Sequence, residues 1–141
     1  SQLITRYFQS EQGTEYLLKL SEHPSADLQL FATNYLERYA ANNFANLQQL
    51  HFYFKTLLAQ VNRSRVAKTR ILTFLAAEAH RDMETAHFVA ELMTWLSATV
   101  AIGDRASALE ILVQIQQQYP EITVPFTIKY VETRSEAKHA V

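Results

Sequence analysis

The sequence predicts an all-α fold, arranged as a short right-handed α-solenoid of about three helical hairpins. Three observations lead to this prediction. The 141 residues include only 2 glycines and 3 prolines. In an average protein, glycine makes up about 7% of the residues and proline about 5%, so this chain is expected to have few tight turns. Apolar residues recur at three- and four-residue steps between sparse turn signals, which is the spacing of amphipathic helices. The helical pattern itself then repeats along the chain.

The individual helices are predicted in chain order from this spacing. Residues 3–21 have a helical pattern that Gly13 is expected to interrupt, because glycine is unfavourable inside a helix. Five helices follow, over residues 25–41, 44–61, 64–80, 83–101 and 104–119. Ser25, Ser64 and Asp104 stand where an N-cap side chain accepts hydrogen bonds from the first free N–H groups of a helix.

An internal repeat appears when the chain is aligned with itself. Equivalent apolar positions recur 39 and 40 residues apart in two sets: Ala32, Ile71 and Ile111, and Leu36, Leu75 and Ile115. The partner helices keep a constant spacing of 39 residues, as between Leu47 and Ala86. A period shared by both helices of a pair is typical of helical-repeat proteins, in which each pair buries its apolar faces against the next. We therefore expect all six positions of the two sets to be buried.

The stretches 65–72 and 104–112 resemble the start of the second helix of a HEAT repeat. The period fits HEAT-like repeats, of about 40–47 residues, better than tetratricopeptide or ankyrin repeats, of about 34 and 33 residues. The resemblance implies one HEAT-like domain over residues 1–134, with a polar tail at 135–141. Its repeats would span residues 3–41, 44–80 and 83–119, with a partial repeat at 122–134. The pattern of that last segment also suits a strand, so its structure is left open.

Composition and charge exclude several classes of function. The chain has 13 basic and 14 acidic residues, a net charge of −1, so no overall field attracts nucleic acid or an anionic membrane. It has no cysteine, which excludes disulfides, thiolate chemistry and cysteine-bound metals. No apolar run reaches the roughly 18 residues of a membrane span, and no signal-peptide pattern opens the chain. We therefore expect a cytoplasmic protein that does not enter a membrane.

A basic stretch between Lys55 and Arg81 is the strongest candidate for a binding surface. The HEAT-like resemblance implies that the second helices line a concave ridge used for binding. The residues predicted to contact a partner are Arg63, Arg65, Lys68 and Arg105. The predicted function is that of a scaffold or adaptor that binds an acidic protein partner on this ridge. An ordinary solvated helix face, with ion pairs worth about 0–1 kcal/mol each, explains the same pattern.

Two alternatives for binding remain open at the sequence level. The first is a nucleic-acid-binding module or a DNA glycosylase, since some HEAT-like proteins hold a damaged base between Trp residues and an Asp. Trp95 is the single Trp, and its spacing places it beside the apolar stripe of its helix. The second is self-association through the exposed ends of the solenoid.

Three aromatic residues follow one another directly: Phe52, Tyr53 and Phe54. Consecutive residues cannot all lie on one face of a helix, so either their helix is buried nearly all round or one ring is an exposed anchor for a partner.

The acidic and histidine residues that follow the basic stretch are the candidate metal ligands: His80, Asp82, Glu84, His87 and Glu91. Glu-x-x-His is half of a di-iron carboxylate site, and no second copy of this motif occurs. A capped helix start with acidic residues near the positive end of the dipole, followed by a His–Glu surface pair, explains these residues better. We predict no catalytic residue, no metal and no cofactor, and hence no enzyme.

Overall fold

The computed structural model describes residues 11–61, 63–99 and 102–122, and the regular structure in these ranges is helical throughout. Their helices are α1 (Glu11–Glu22), α2 (Ala26–Ala40), α3 (Phe44–Gln49), α4 (His51–Leu58), α5 (Arg65–Glu78), α6 (Met83–Thr99) and α7 (Ile102–Gln118). The predicted all-α class is confirmed. The start of the first predicted repeat, most of the partial repeat at 122–134 and the tail at 135–141 lie outside the described residues. The solenoid arrangement stays a prediction.

Several helix boundaries agree with the sequence pattern. Ser25 caps α2, because its hydroxyl accepts a hydrogen bond from the backbone N–H of Leu28 at 3.4 Å. Asp82 precedes α6 and accepts from the backbone N–H of Thr85 at 2.8 Å. Both contacts satisfy N–H groups that have no partner inside their own helix, so they fix where each helix begins.

The structure corrects three of the expected boundaries. Gly13 lies inside α1, so the predicted interruption is wrong; one glycine costs about 1 kcal/mol relative to alanine and does not by itself end a helix. The predicted helix 44–61 is divided at Leu50, whose N–H bonds to the carbonyl of Leu47 three residues back, at 3.1 Å. Asp104 lies within the first turn of α7, which begins earlier than predicted.

The described chain divides into two compact units, the first ending at Glu78 and the second beginning at Ala79. In the first unit, α2 packs against α1 and α5, and α1 also contacts α4. In the second unit, α6 packs against α7. All six equivalent positions of the internal repeat are buried, at most 8% exposed, which confirms that part of the prediction.

Helices α2 and α5 run parallel and side by side in the first unit. Three contacts join them at successive levels: Gln29 with Ala67, Asn34 with Arg70, and Asn42, in the turn after α2, with Glu78. The beginning, the middle and the end of α2 thus contact the beginning, the middle and the end of α5, in that order. Helix α1 precedes α2, and α4 precedes α5. Because α2 and α5 lie side by side, the two preceding helices are also brought together, and α1 and α4 are in contact.

Candidate functional site

The predicted partner-binding residues lie in both units. Arg63, Arg65 and Lys68 are at the N-terminal end of α5, in the first unit. Arg105 is in the first turns of α7, in the second unit, where it is half-buried and its Nε has no hydrogen-bond partner within the described ranges. The structure therefore brings three of the four residues into one neighbourhood.

Arg65 and Arg63 are accessible from solvent. Arg65 is the first residue of α5, and its exposed side chain makes no hydrogen bond or ion pair with the part of the chain that the structure describes. The side chain of Arg63 is 63% exposed, and its guanidinium lies 3.9 Å from the carboxylate of Glu22. An exposed pair at that distance contributes little, about 0–1 kcal/mol. We call Arg63 and Arg65, at the N-terminal end of α5, the basic edge.

Lys68 does not belong to the basic edge. It is 8% exposed, and its ammonium donates a hydrogen bond to the backbone carbonyl of Gln60 at 2.6 Å. The expectation that Lys68 forms part of an exposed ridge is wrong. The reason is helical periodicity: Lys68 lies three and seven residues before Ile71 and Leu75, on the face of α5 that packs into the core. Its side chain links the turn after α4 to α5.

The turn before α5 is organised by the side chain of Gln60. Its carbonyl oxygen accepts a hydrogen bond from the hydroxyl of Ser64 at 2.8 Å, and its amide donates to Glu22 at 2.5 Å. Ser64, which was expected to cap α5, has a left-handed backbone, with φ of 56°. Its hydroxyl thus points back to Gln60 and closes the turn.

An amide from α2 caps α5 instead. The side-chain oxygen of Gln29 accepts from the N–H of Ala67 at 3.0 Å, while its nitrogen donates to the carbonyl of His23 at 2.8 Å. Gln29 is buried, so its bond to the N–H of Ala67 is shielded from water, whereas its bond to His23 is partly buried. The first turn of α5 contains no acidic residue. The positive end of the helix dipole, equivalent to roughly half a charge, is therefore not offset by a capping carboxylate.

The aromatic residues resolve the alternative left open by the sequence. Tyr53 and Phe54 are fully buried and pack edge to face, with ring centroids 5.8 Å apart. Phe52 is 65% exposed, so one ring of the three faces solvent. Phe31, in α2, is also strongly exposed, at 58%. Trp95 is half-buried, which agrees with its predicted place beside the apolar stripe of its helix.

The acidic and histidine residues of α6 have structural contacts. Asp82 caps the helix, and the hydrogen bond from the Thr85 N–H lowers the pKa of its carboxyl below the ordinary value. His87 and Glu91 form an exposed pair, with Nε2 and Oε1 3.1 Å apart. The predicted capped start and surface pair are confirmed. Within the described ranges, no three His, Asp or Glu side chains are grouped closely enough to hold a metal ion.

Comparison with protein-family models, curated proteins and solved structures finds no match for this chain. Among the helices of the described ranges, none combines the length and apolar character that crossing a membrane requires. The HEAT-like resemblance accordingly stays a prediction.

Proposed function

We propose that this chain is a protein-interaction module of the HEAT-like solenoid type, which docks an acidic segment of a protein partner at its basic edge. One observation carries the proposal. Two exposed arginines, Arg63 and Arg65, stand at the start of a helix whose first turn holds no acidic side chain. Their charges and the helix dipole have the same sign at the same place.

The chemistry of the basic edge suits carboxylates. A guanidinium offers a planar fork of N–H donors that matches a carboxylate in a bidentate hydrogen bond. Glu22 is the carboxylate seen near this edge, and it is shared between the Gln60 amide and Arg63. Arg65 is therefore the group with the greatest capacity to pair with a partner. Exposed charges of this kind mainly raise the association rate and fix the partner's register.

The links between neighbouring repeats support the solenoid part of the proposal. In the first unit, the Glu78 carboxylate at the end of α5 accepts from the N–H of Asn42, in the turn after α2, at 3.2 Å. In the second unit, the Gln118 amide at the end of α7 donates to the carbonyl of His80, in the turn that precedes α6, at 3.1 Å. Both links span nearly the same sequence separation, close to the repeat period. Repeated contacts at a repeated spacing are what stacked helical pairs require.

Fluorescence anisotropy with two labelled probes tests the proposal. One probe is a peptide rich in Asp and Glu, and the other is single-stranded DNA of matched charge. We expect Arg65→Glu to weaken peptide binding about tenfold, or 1.4 kcal/mol. The matched control is Lys19→Glu, which reverses an exposed cation in α1. Binding of the peptide should also weaken as salt rises, since charges are screened over about 10 Å at 0.1 M.

The outcomes separate the candidate functions. Equal loss of peptide affinity in both variants would mean that only overall charge matters, and would overturn the basic edge as a docking site. Tighter binding of the DNA probe than of the peptide, lost in Arg65→Glu, would favour the nucleic-acid alternative instead.

A further inference from the structure

A second surface of the first unit lies on α2 and is independent of the basic edge. Four exposed residues at steps of four, three and four form a stripe along this helix: Asp27, Phe31, Asn34 and Arg38. Such steps place side chains on one helix face. The stripe has an acid at its start, an aromatic ring and an amide in the middle, and a cation at its end.

The stripe is complementary to itself when a second copy runs in the opposite direction. A two-fold axis that passes midway between residues 32 and 33 places Asp27 of one copy opposite Arg38 of the other. The same axis places Phe31 opposite Asn34, and brings the two Phe31 rings to either side of the axis. The charged ends of the stripe are about 16 Å apart, at 1.5 Å per residue. Both Asp–Arg pairs then form together, as a two-fold interface requires.

The charged residues of the stripe are available for such a contact. Neither Asp27 nor Arg38 takes part in a hydrogen bond or ion pair with another described side chain. The neighbouring carboxylate of Glu37 is held by Arg70 at 3.3 Å, and Arg70 also donates to the side-chain oxygen of Asn34. These bonds fix the edge of the stripe against α5 and neutralise Glu37. Asp27 and Arg38 are therefore the charges that the stripe presents.

We propose that α2 is a self-association surface, on which a second copy of this chain packs antiparallel. Phe31 is the apolar centre of the contact, and the two Asp27–Arg38 pairs set its direction. Each charge also suits the dipole of its own helix, so the test has to measure association rather than stability. One pair of helices buries less area than the 1,200–2,000 Å² of typical stable complexes, so we expect a dissociation constant on the order of 100 μM.

Sedimentation equilibrium of the full chain, at concentrations up to about 1 mM, tests the central contact. Phe31→Ala should weaken dimerisation at least about tenfold, as for a buried aromatic anchor. Phe52→Ala is the matched control, because Phe52 is also a strongly exposed phenylalanine among the described residues of the same unit, and it should leave the constant unchanged. A wild-type chain that is monomeric at the highest concentration, or an equal effect of the two substitutions, would overturn the proposal.

A charge exchange tests the direction of packing. Asp27→Arg and Arg38→Asp should each weaken the dimer about fivefold, because each places like charges opposite one another. The double variant Asp27→Arg/Arg38→Asp restores opposite charges across the two-fold axis, so it should recover the wild-type constant to within about twofold. Thermal unfolding of each variant, followed by circular dichroism, confirms that the fold is intact. Failure of the double variant to recover would exclude the antiparallel arrangement.

Discussion

The buried hydrogen bond between Ser21 and Tyr53 allows a sharp test of the packing of α1 against α4. The two hydroxyl oxygens are 2.5 Å apart, and both side chains are fully buried. In Tyr53→Phe the ring keeps its shape, but the Ser21 hydroxyl loses its partner where water does not reach it. Leaving a buried polar group unsatisfied costs about 1–3 kcal/mol. We expect Ser21→Ala to cost a similar amount, because it leaves the Tyr53 hydroxyl alone.

The double variant Ser21→Ala/Tyr53→Phe gives the decisive measurement. It removes both polar groups, so the free energy of unfolding should fall by clearly less than the sum of the two single losses. A coupling of about 0.5–1.5 kcal/mol is expected for directly bonded groups. Tyr39→Phe is the control: the Tyr39 hydroxyl bonds to Gln49 at an exposed site, so its loss should cost less than about 0.5 kcal/mol.

Urea titration followed by two signals is the appropriate assay. Far-ultraviolet circular dichroism reports on all helices, whereas fluorescence of Trp95 reports on the second unit, to which that residue belongs. The effect of the Ser21–Tyr53 cycle should be seen in the circular dichroism transition. Strictly additive losses in the double variant would refute the inference that this bond joins the two helices.

Three further predictions concern stability. Leu75→Ala removes a fully buried side chain and should lower the free energy of unfolding by about 2–5 kcal/mol in a urea titration; a loss below about 1 kcal/mol would contradict its place in the core. Gln29→Leu leaves the Ala67 N–H and a turn carbonyl without their partner, and should cost about 1–3 kcal/mol, with faster hydrogen exchange at Ala67. Burial raises the pKa of Tyr53 far above its ordinary value of 10.0, so the folded state holds its proton longer than the unfolded chain. Stability should thus decline as pH rises above that value, and less so in Tyr53→Phe; an equal decline in both would refute the assignment.

Short-range periodicity was enough to predict where the core lies. Ile71 and Leu75 are buried because residues four apart on a helix share a face, and this follows from the sequence alone. Lys68 lies three residues before Ile71 and seven residues before Leu75, so the same rule places it on their buried face. The charge of Lys68 suggests the binding surface, but its helical position buries it and its ammonium bonds to the carbonyl of Gln60. Phe31 is the opposite case, an aromatic residue one step outside the buried face of α2.

Contacts between distant segments could not be predicted from the sequence pattern. The cap of α5 is an example: Ser64 has the residue type of an N-cap, yet Gln29, far away in sequence, satisfies the N–H of Ala67. The division of the predicted helix at Leu50 was missed for a local reason, since an apolar residue in an apolar stripe carries no turn signal. The cap by Gln29 depends on how α2 and α5 pack, which local propensity does not encode.

The scarcity of glycine and proline explains why polar side chains are buried at the turns. With few residues that close a turn by themselves, the backbone groups there need partners from other elements. Gln29, Lys68 and Glu78 supply them: each is buried, and each bonds to the backbone of another segment. Two basic residues at the start of α5 illustrate how far such roles differ. The Lys68 ammonium donates to the backbone of the turn before α5, whereas the Arg65 side chain, three residues earlier, is exposed to solvent. The charge of the basic stretch therefore overstates how much of it faces solvent, and the surface that we propose for binding reduces to the exposed guanidinium groups of Arg63 and Arg65.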